Sequence, residues 1–477
     1  MTIGSRRFLY LSFIFVFIVA GSALLFFLQG YRFNTDKGKI ERTGAIQADS
    51  LPEGAVVVLN EQPLDRITPA TILSLRPNDY QLELKLDGFQ PWHKNLTVSP
   101  AAVTFSGPVR LWPNSTIGTA LKVGHVTASY LSPNGENLLY LTQPSGGTEL
   151  WLLNLTSGQD RLLQRTAATE ITNVEWAITS REVLLQEREN NTIDWHIFSL
   201  ETNSWESLPL PTELQVNAVH WGDERHLLYA TTAGELYELN RRTQSTKLVW
   251  RERLQDYRVH DGLVFGLARG TGEAIDLKVL NLANLQLVPL PNSPTLSTTV
   301  FFMPANEEWL PLFDYDRHAL YLLHSPLTAT EPVRRIPEVT ATHWVNEHEL
   351  VITNNFEIWL YELTEQAPKF VERLSSPLSG AQRYAEEPYL LFVSGGEIWA
   401  LELDERDARQ RWLLAKYDQD VQAMFLSPTG ETLIVQTAND LYRVDLTVAP
   451  PAAEPPASSP AATIQKYLHL SNRPSGG

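Results

Sequence analysis

The feature that most constrains this chain is a repeat of about 42 residues. The runs "ELWLLNL" (from 149), "DWHIFSL" (194), "ELYELNR" (235), "DLKVLNL" (276), "ALYLLHS" (319), "EIWLYEL" (357), "EIWALEL" (397) and "DLYRVDL" (440) follow one another at spacings of 38 to 45 residues. Most show the apolar alternation of a strand, and the period is the length of one four-stranded propeller blade. Upstream of most stands a strand–turn–strand unit, as in "TASYLSPNGENLLYLT" and "AMFLSPTGETLIVQT". Their Ser132-Pro133-Asn134-Gly135 and Ser427-Pro428-Thr429-Gly430 supply the residue types that hairpin turns demand. Downstream comes a fourth run such as "DRLLQ", "TKLVW" or "RWLLA". Each repeat therefore reads as strands a, b, c and d.

The last repeat lacks its strand d, because the proline-rich "TVAPPAAEPPASSPAAT" cannot supply a laddered strand. A donor stands before the first repeat: "TIGTALKVG", Thr116 to Gly124, is expected to complete the final blade and leave no open sheet edge. Eight blades are expected, with seven as the alternative. The pattern "SPNG…LLYL…ELWLLNL" resembles the β-propeller repeats of the TolB kind over residues 116–447. That resemblance implies an architecture and says little about function.

Phe8 to Leu28 contains no charged residue and is long enough, at about 1.5 Å per helical residue, to cross a hydrocarbon core of about 30 Å. Arg6 and Arg7 precede it, which favours a cytoplasmic N-terminus (residues 1–7), a transmembrane helix (8–28) and a linker (29–42) leading to an extracytoplasmic bulk. Gly21-Ser22-Ala23 would suit a signal peptidase, but Leu24 to Leu28 carries the apolar run past that site, so a retained signal-anchor is expected. The chain has no cysteine, which excludes disulfides, thiolate metal sites and a cysteine nucleophile, and suits an exported bacterial protein that folds without bridges. A formal charge of −17 argues against nucleic acid as a partner, since phosphates call for a basic footprint.

Between the apolar segment and the repeats, residues 43–112 alternate short β-rich runs ("AVVVLN", "ATILSL", "YQLELKL", "WHKNLTV", "TFSGPVRL") with turn residues, which predicts a small antiparallel sandwich. With Pro52-Glu53-Gly54-Ala55, Thr68-Pro69, the strand from Tyr80 and Gly88-Phe89, this segment resembles a PEGA domain. Asn60-Glu61 departs from that family's usual Gly-containing hairpin tip, and Asn78-Asp79 from a second Gly turn. The resemblance implies an extracytoplasmic module that engages surface-layer or cell-wall material, with no residue to carry over as a binding site. The chain is thus expected to be all-β after its one helix, ending in a proline-rich disordered tail (448–477).

Seven of the eight repeats open strand c with an acid: Glu149, Asp194, Glu235, Asp276, Glu357, Glu397 and Asp440. A feature repeated in register is expected to be structural, here a turn acid accepting backbone N–H groups, over a ring that binds cations. Trp151, Trp176, Trp221, Trp344, Trp359 and Trp399 are expected to pack between blades. Trp92 and Trp112 are the better candidates for stacking on sugars, although core packing is the simpler role for them too. The pairs His220/His226 and His343/His348 could ligate a metal if loops bring them together, but isolated histidines at turns are expected to be solvated, and Asp314-Tyr315-Asp316 lacks the Gly and terminal Glu of a calcium loop, so no metal and no cofactor are expected. No HExxH, GxSxG, P-loop or GxGxxG occurs, so no catalytic residue is assigned.

Two functions fit. One is a membrane-anchored binding or scaffold protein, its PEGA-like module on envelope polymer and its propeller on a surface protein or glycan. The alternative is a propeller-based envelope enzyme of lyase or glycosidase type with an active site at the channel mouth. Asn217, His260, Asp261 and Thr340 are the candidates for that mouth. An enzyme should gather two carboxylates, or a carboxylate and a histidine with shifted pKa, where a scaffold scatters them.

Overall fold

The computed structural model describes residues 3–447, apart from residues 29, 35–37, 115–117, 168, 191, 212–213, 224, 271–273, 291–292, 307, 325–326, 328–332, 365–366 and 386. The tail 448–477, expected to be disordered, lies outside the described residues. The chain divides into two compact units, one holding Met1–Asn114 and the other Ser115–Leu446.

In the first unit a helix runs from Ile3 to Leu28. Its stretch Tyr10–Leu28 has a mean hydropathy of 2.7 and none of it is buried, so it is long and apolar enough to cross a membrane. The segment expected as a linker carries a two-stranded hairpin, Tyr31–Asn34 paired with Lys39–Arg42. The PEGA-like segment then forms two packed sheets. One has four strands, in the order Gln62–Ile67, Val56–Leu59, Asn78–Lys85, Trp92–Val98; the other has three, Ala70–Leu75, Gly44–Leu51, Val103–Arg110. The sandwich is as expected except in one pairing: Gly44–Leu51 runs parallel to Val103–Arg110. Alternation along Trp92–Val98 turns Trp92, Lys94, Leu96 and Val98 inward, onto Ile46, Val57, Leu82 and Leu84 from neighbouring strands. Fully burying each large aliphatic contributes about 1.5–3 kcal/mol.

The Pro52-Glu53-Gly54-Ala55 motif is a turn clasped by one hydroxyl. Thr68 Oγ1 accepts from the N–H groups of Gly54 (3.1 Å) and Ala55 (3.0 Å) and shares a hydrogen bond with Ser50 Oγ at 2.6 Å. Gly54 has φ +95°, a left-handed conformation that side chains resist, which is why the motif needs glycine there. At the hairpin tip Asn60 and Glu61 both take positive φ (48° and 64°), the geometry of a type I′ turn, so the missing glycine is tolerated.

In the second unit residues 119–445 form eight four-stranded antiparallel sheets, each a blade built from strands a to d in order. The inner strands a of the blades are Val126–Leu131, Glu170–Trp176, Val216–Trp221, Leu254–His260, Val300–Phe302, Ala341–Trp344, Gly380–Arg383 and Val421–Leu426. Strands b are buried on both faces, as in Trp309–Asp314 and Thr432–Thr437, so they read as continuous apolar runs where strands c alternate. Between blades the cores interlock: Leu184, Trp195 and Ile197 of blade 2 pack on Val219, Leu227 and Tyr229 of blade 3, and similar seams follow around the ring. The ring closes where the sequence places the spare strand. Thr119–Lys122 pairs antiparallel with Leu441–Asp445 as the outer strand of blade 8, and Val126, Leu138 and Tyr140 of blade 1 pack on Ile434 and Leu441.

Candidate functional site

The repeated acids at the start of strand c are tied to side chains more than to turn N–H groups. Glu149 accepts from Trp151 Nε1 at 2.9 Å and pairs with Arg165 directly across on strand d. Glu357 repeats this with Trp359 Nε1 (3.2 Å) and Arg373, Glu235 with Tyr237 Oη (2.8 Å) and Arg251, and Glu397 faces Lys416. Asp440 alone also takes a backbone group, Gly124 N at 2.7 Å, which ties the closing strand to blade 8. These acids are architectural, in a form that sequence reasoning did not anticipate: a link between an aromatic two residues on and a base on the neighbouring strand.

The inner strands carry the chemistry. Their tryptophans clip each blade to the one before it: Trp176 Nε1 donates to Tyr130 O (3.0 Å), Trp221 Nε1 to Glu175 O (3.3 Å) and Trp344 Nε1 to Pro304 O (3.2 Å). Because successive side chains on a strand alternate, the residue before each tryptophan is turned the other way. In blades 2 and 3 those residues are Glu175 and His220, and they meet: His220 Nδ1 lies 2.6 Å from Glu175 Oε2. Blade 4 adds Arg258, whose Nη1 lies 2.8 Å from His220 Nε2 and 2.9 Å from Asp256 Oδ1. The ring of Tyr257 packs edge-on against His220 at 4.8 Å.

A guanidinium only donates, so His220 Nε2 is the acceptor there and Nδ1 is the N–H that Glu175 accepts. Both ring nitrogens are therefore occupied. Burial alone would raise the Glu175 carboxyl, but the hydrogen bond from His220 and the positive charge of Arg258 more than offset it and hold it below the usual carboxylate range. A carboxylate and a histidine are thus brought together among the inner strands, by residues that sequence reasoning had not joined.

A cavity of about 610 Å³ lies at the end of the channel where strands a finish. It is lined by the ends of the inner strands of blades 6, 7, 8 and 1, with Trp344, Leu426 and Leu131 as apolar wall and His343, Glu349, Gln382 and Arg383 as polar groups. Burial pushes the His343 imidazole down to about 4.

The six candidate residues do not assemble. Trp92 and Trp112 are both 0% exposed, so no ring face is open to a sugar and both serve the core of the first unit. Asn217 is exposed at the start of the inner strand of blade 3, and Thr340 precedes that of blade 6, its Oγ1 donating to Thr353 O at 3.0 Å. His260 and Asp261 instead fall at the end of the inner strand of blade 4, in its a–b turn, where Asp261 takes φ 47°. Strand a runs from one face of the ring to the other, so these two pairs lie at opposite faces and share no mouth. Nor are the histidine pairs joined: His226 is held by Asp223 (2.9 Å), and His348 lies with Glu308 and Glu347 in an exposed group.

No curated protein matches this sequence. Solved structures similar to it over the propeller include the C-terminal WD40 domain of Sif2 (12% identity, TM-score 0.48, covering 70% of this chain and 99% of that one). The Dos1 propeller (9%, 0.46, 70% and 95%) and Saccharomyces cerevisiae Sqt1 (10%, 0.45, 70% and 99%) are others. Residues 43–110 match the family model described as the PEGA domain, so the chain carries a PEGA domain between its apolar helix and its eight-bladed propeller.

Proposed function

We propose that the protein is a membrane-anchored, extracytoplasmic binding or scaffold protein of a bacterial cell envelope, single-pass with its N-terminus in the cytoplasm. The PEGA domain engages envelope polymer and the propeller engages a surface protein or glycan. The observation that carries this reading is the order along the chain: an exposed apolar helix of membrane-spanning length, then a PEGA domain, then a propeller of eight four-stranded blades. A closed ring is rigid and offers a wide polar face on which many contacts add. Full-length protein in detergent should co-sediment with purified peptidoglycan sacculi, and replacing residues 43–112 by a flexible linker should abolish this. Sedimentation that survives the replacement removes the role given to the PEGA domain.

One observation favours the second reading, an envelope hydrolase or lyase: Glu175 and His220 are joined among the inner strands. With Arg258 on Nε2, His220 has no lone pair to offer a substrate, so such an enzyme must displace that arginine. Cleavage of envelope glycan by the purified protein, lost in His220→Gln, would replace the binding reading by the enzymatic one.

A further inference from the structure

The channel-end cavity holds two opposite charges that do not neutralise each other. Arg383, at the end of the inner strand of blade 7, and Glu349, at the start of strand b in blade 6, both line it. Among the described residues neither side chain makes an ion pair or a hydrogen bond, although the charge of Glu349 reaches Arg383 and opposes the burial that pushes its guanidinium down.

We propose that this cavity binds a free α-amino acid with an apolar side chain, its carboxylate on Arg383, its ammonium on Glu349 and its side chain against Trp344 and Leu426. Charge complementarity selects this class. A simple anion would be opposed by Glu349 and a simple cation by Arg383, and a neutral apolar ligand would leave both half-buried charges unpaired. A ligand bearing both signs close together satisfies both groups, and a guanidinium favours a planar carboxylate through two parallel hydrogen bonds. His343 adds no competing charge at neutral pH, because its burial keeps it unprotonated. The volume of about 610 Å³ lies within the range of small-molecule sites and leaves room for water around an amino acid. The assignment goes beyond the envelope-binding role and holds wherever the protein is anchored.

The test is isothermal titration at pH 7 of full-length protein in detergent with L-leucine, N-acetyl-L-leucine and L-leucinamide. L-leucine should bind, and each blocked derivative should bind about tenfold more weakly or worse, since each leaves one half-buried charge unpaired. Glu349→Gln should remove the discrimination against the N-acetyl derivative, and Arg383→Met that against the amide. Opposite changes in selectivity cannot come from a general loss of folding; should Arg383→Met fail to fold, Glu349→Gln decides by itself. The proposal is overturned if L-leucine does not bind the wild-type protein, if either blocked derivative binds as tightly as L-leucine, or if Glu349→Gln leaves the selectivity unchanged.

Discussion

His343 shows what a single buried ring does to stability. Its imidazole is pushed from an ordinary value near 6.5 to about 4 in the folded chain. Between those two values the unfolded chain holds a proton that the folded chain does not, so stability is present in full above about pH 6.5 and falls as pH drops toward 4. The loss should be on the order of 2 kcal/mol, discounted because the ring is only partly buried. In His343→Gln the stability measured by urea unfolding at pH 7 and pH 4.5 should differ by that much less; an unchanged difference would show that the ring stays accessible to protons. Glu175 is the opposite case, a depressed carboxyl whose contribution is present above the ordinary carboxylate pKa and lost only in stronger acid. Glu175→Ala strands a donor of His220, and should cost about 1–3 kcal/mol in denaturant titrations at pH 7. Little of this was legible residue by residue. Glu175, His220 and Arg258 lie roughly 40 residues apart, each unremarked in its own strand. A signal did exist: "EW", "HW" and "HW" at 175, 220 and 343 place a polar residue directly before the tryptophan that clips one blade to the last, and aligning the inner strands on that tryptophan would have found the position.

At the scale of strands, closure depends on Thr119–Lys122 and on how tightly it fits. Gly118, just before it, takes φ +73°, and a Cβ there would stand 2.3 Å from Arg443 O on the strand it meets. Backbone cannot yield as a flexible side chain can, so Gly118→Ala should destabilise the propeller by about 1–3 kcal/mol, through clash and an unfavourable φ together. Deleting residues 116–124 should do more: it strips the outer strand from blade 8 and exposes an edge that invites association. A lower melting temperature with concentration-dependent light scattering is expected, and a deletion that melts with the wild type would dissolve the closure argument. Strand order was legible because the repeat registers strand c in every blade, leaves one strand over before the first and one missing from the last. The parallel pairing of Gly44–Leu51 with Val103–Arg110 was not, since alternation reports which face a residue takes and is blind to strand direction. The acids of strand c were seen as a series, but their partners were not: Arg165, Arg251, Arg373 and Lys416 sit on a strand that sequence reasoning used only to count.

At the scale of the whole chain, the apolar helix carries the proposed anchoring. The helix Ile3–Leu28 exposes Phe13, Phe15, Phe17, Leu24 and Phe27, each more than half open to solvent, a surface that no soluble unit could leave uncovered. A bilayer is the cover that the proposed function gives it. We propose retention on the ground of length: the apolar stretch runs to Leu28, five residues beyond Ala23, the last small residue of the possible cleavage site, so cutting there would split a continuous span. The full-length protein should therefore stay in the membrane fraction after a carbonate wash, which strips peripheral proteins, and should require detergent for release. Protease added outside intact spheroplasts should degrade the propeller while a tag at the N-terminus stays protected, as the arginine pair before the helix predicts. Recovery of a soluble chain beginning near Leu24 would convert the anchor into a signal peptide, and protection of the propeller would place both units on the cytoplasmic side.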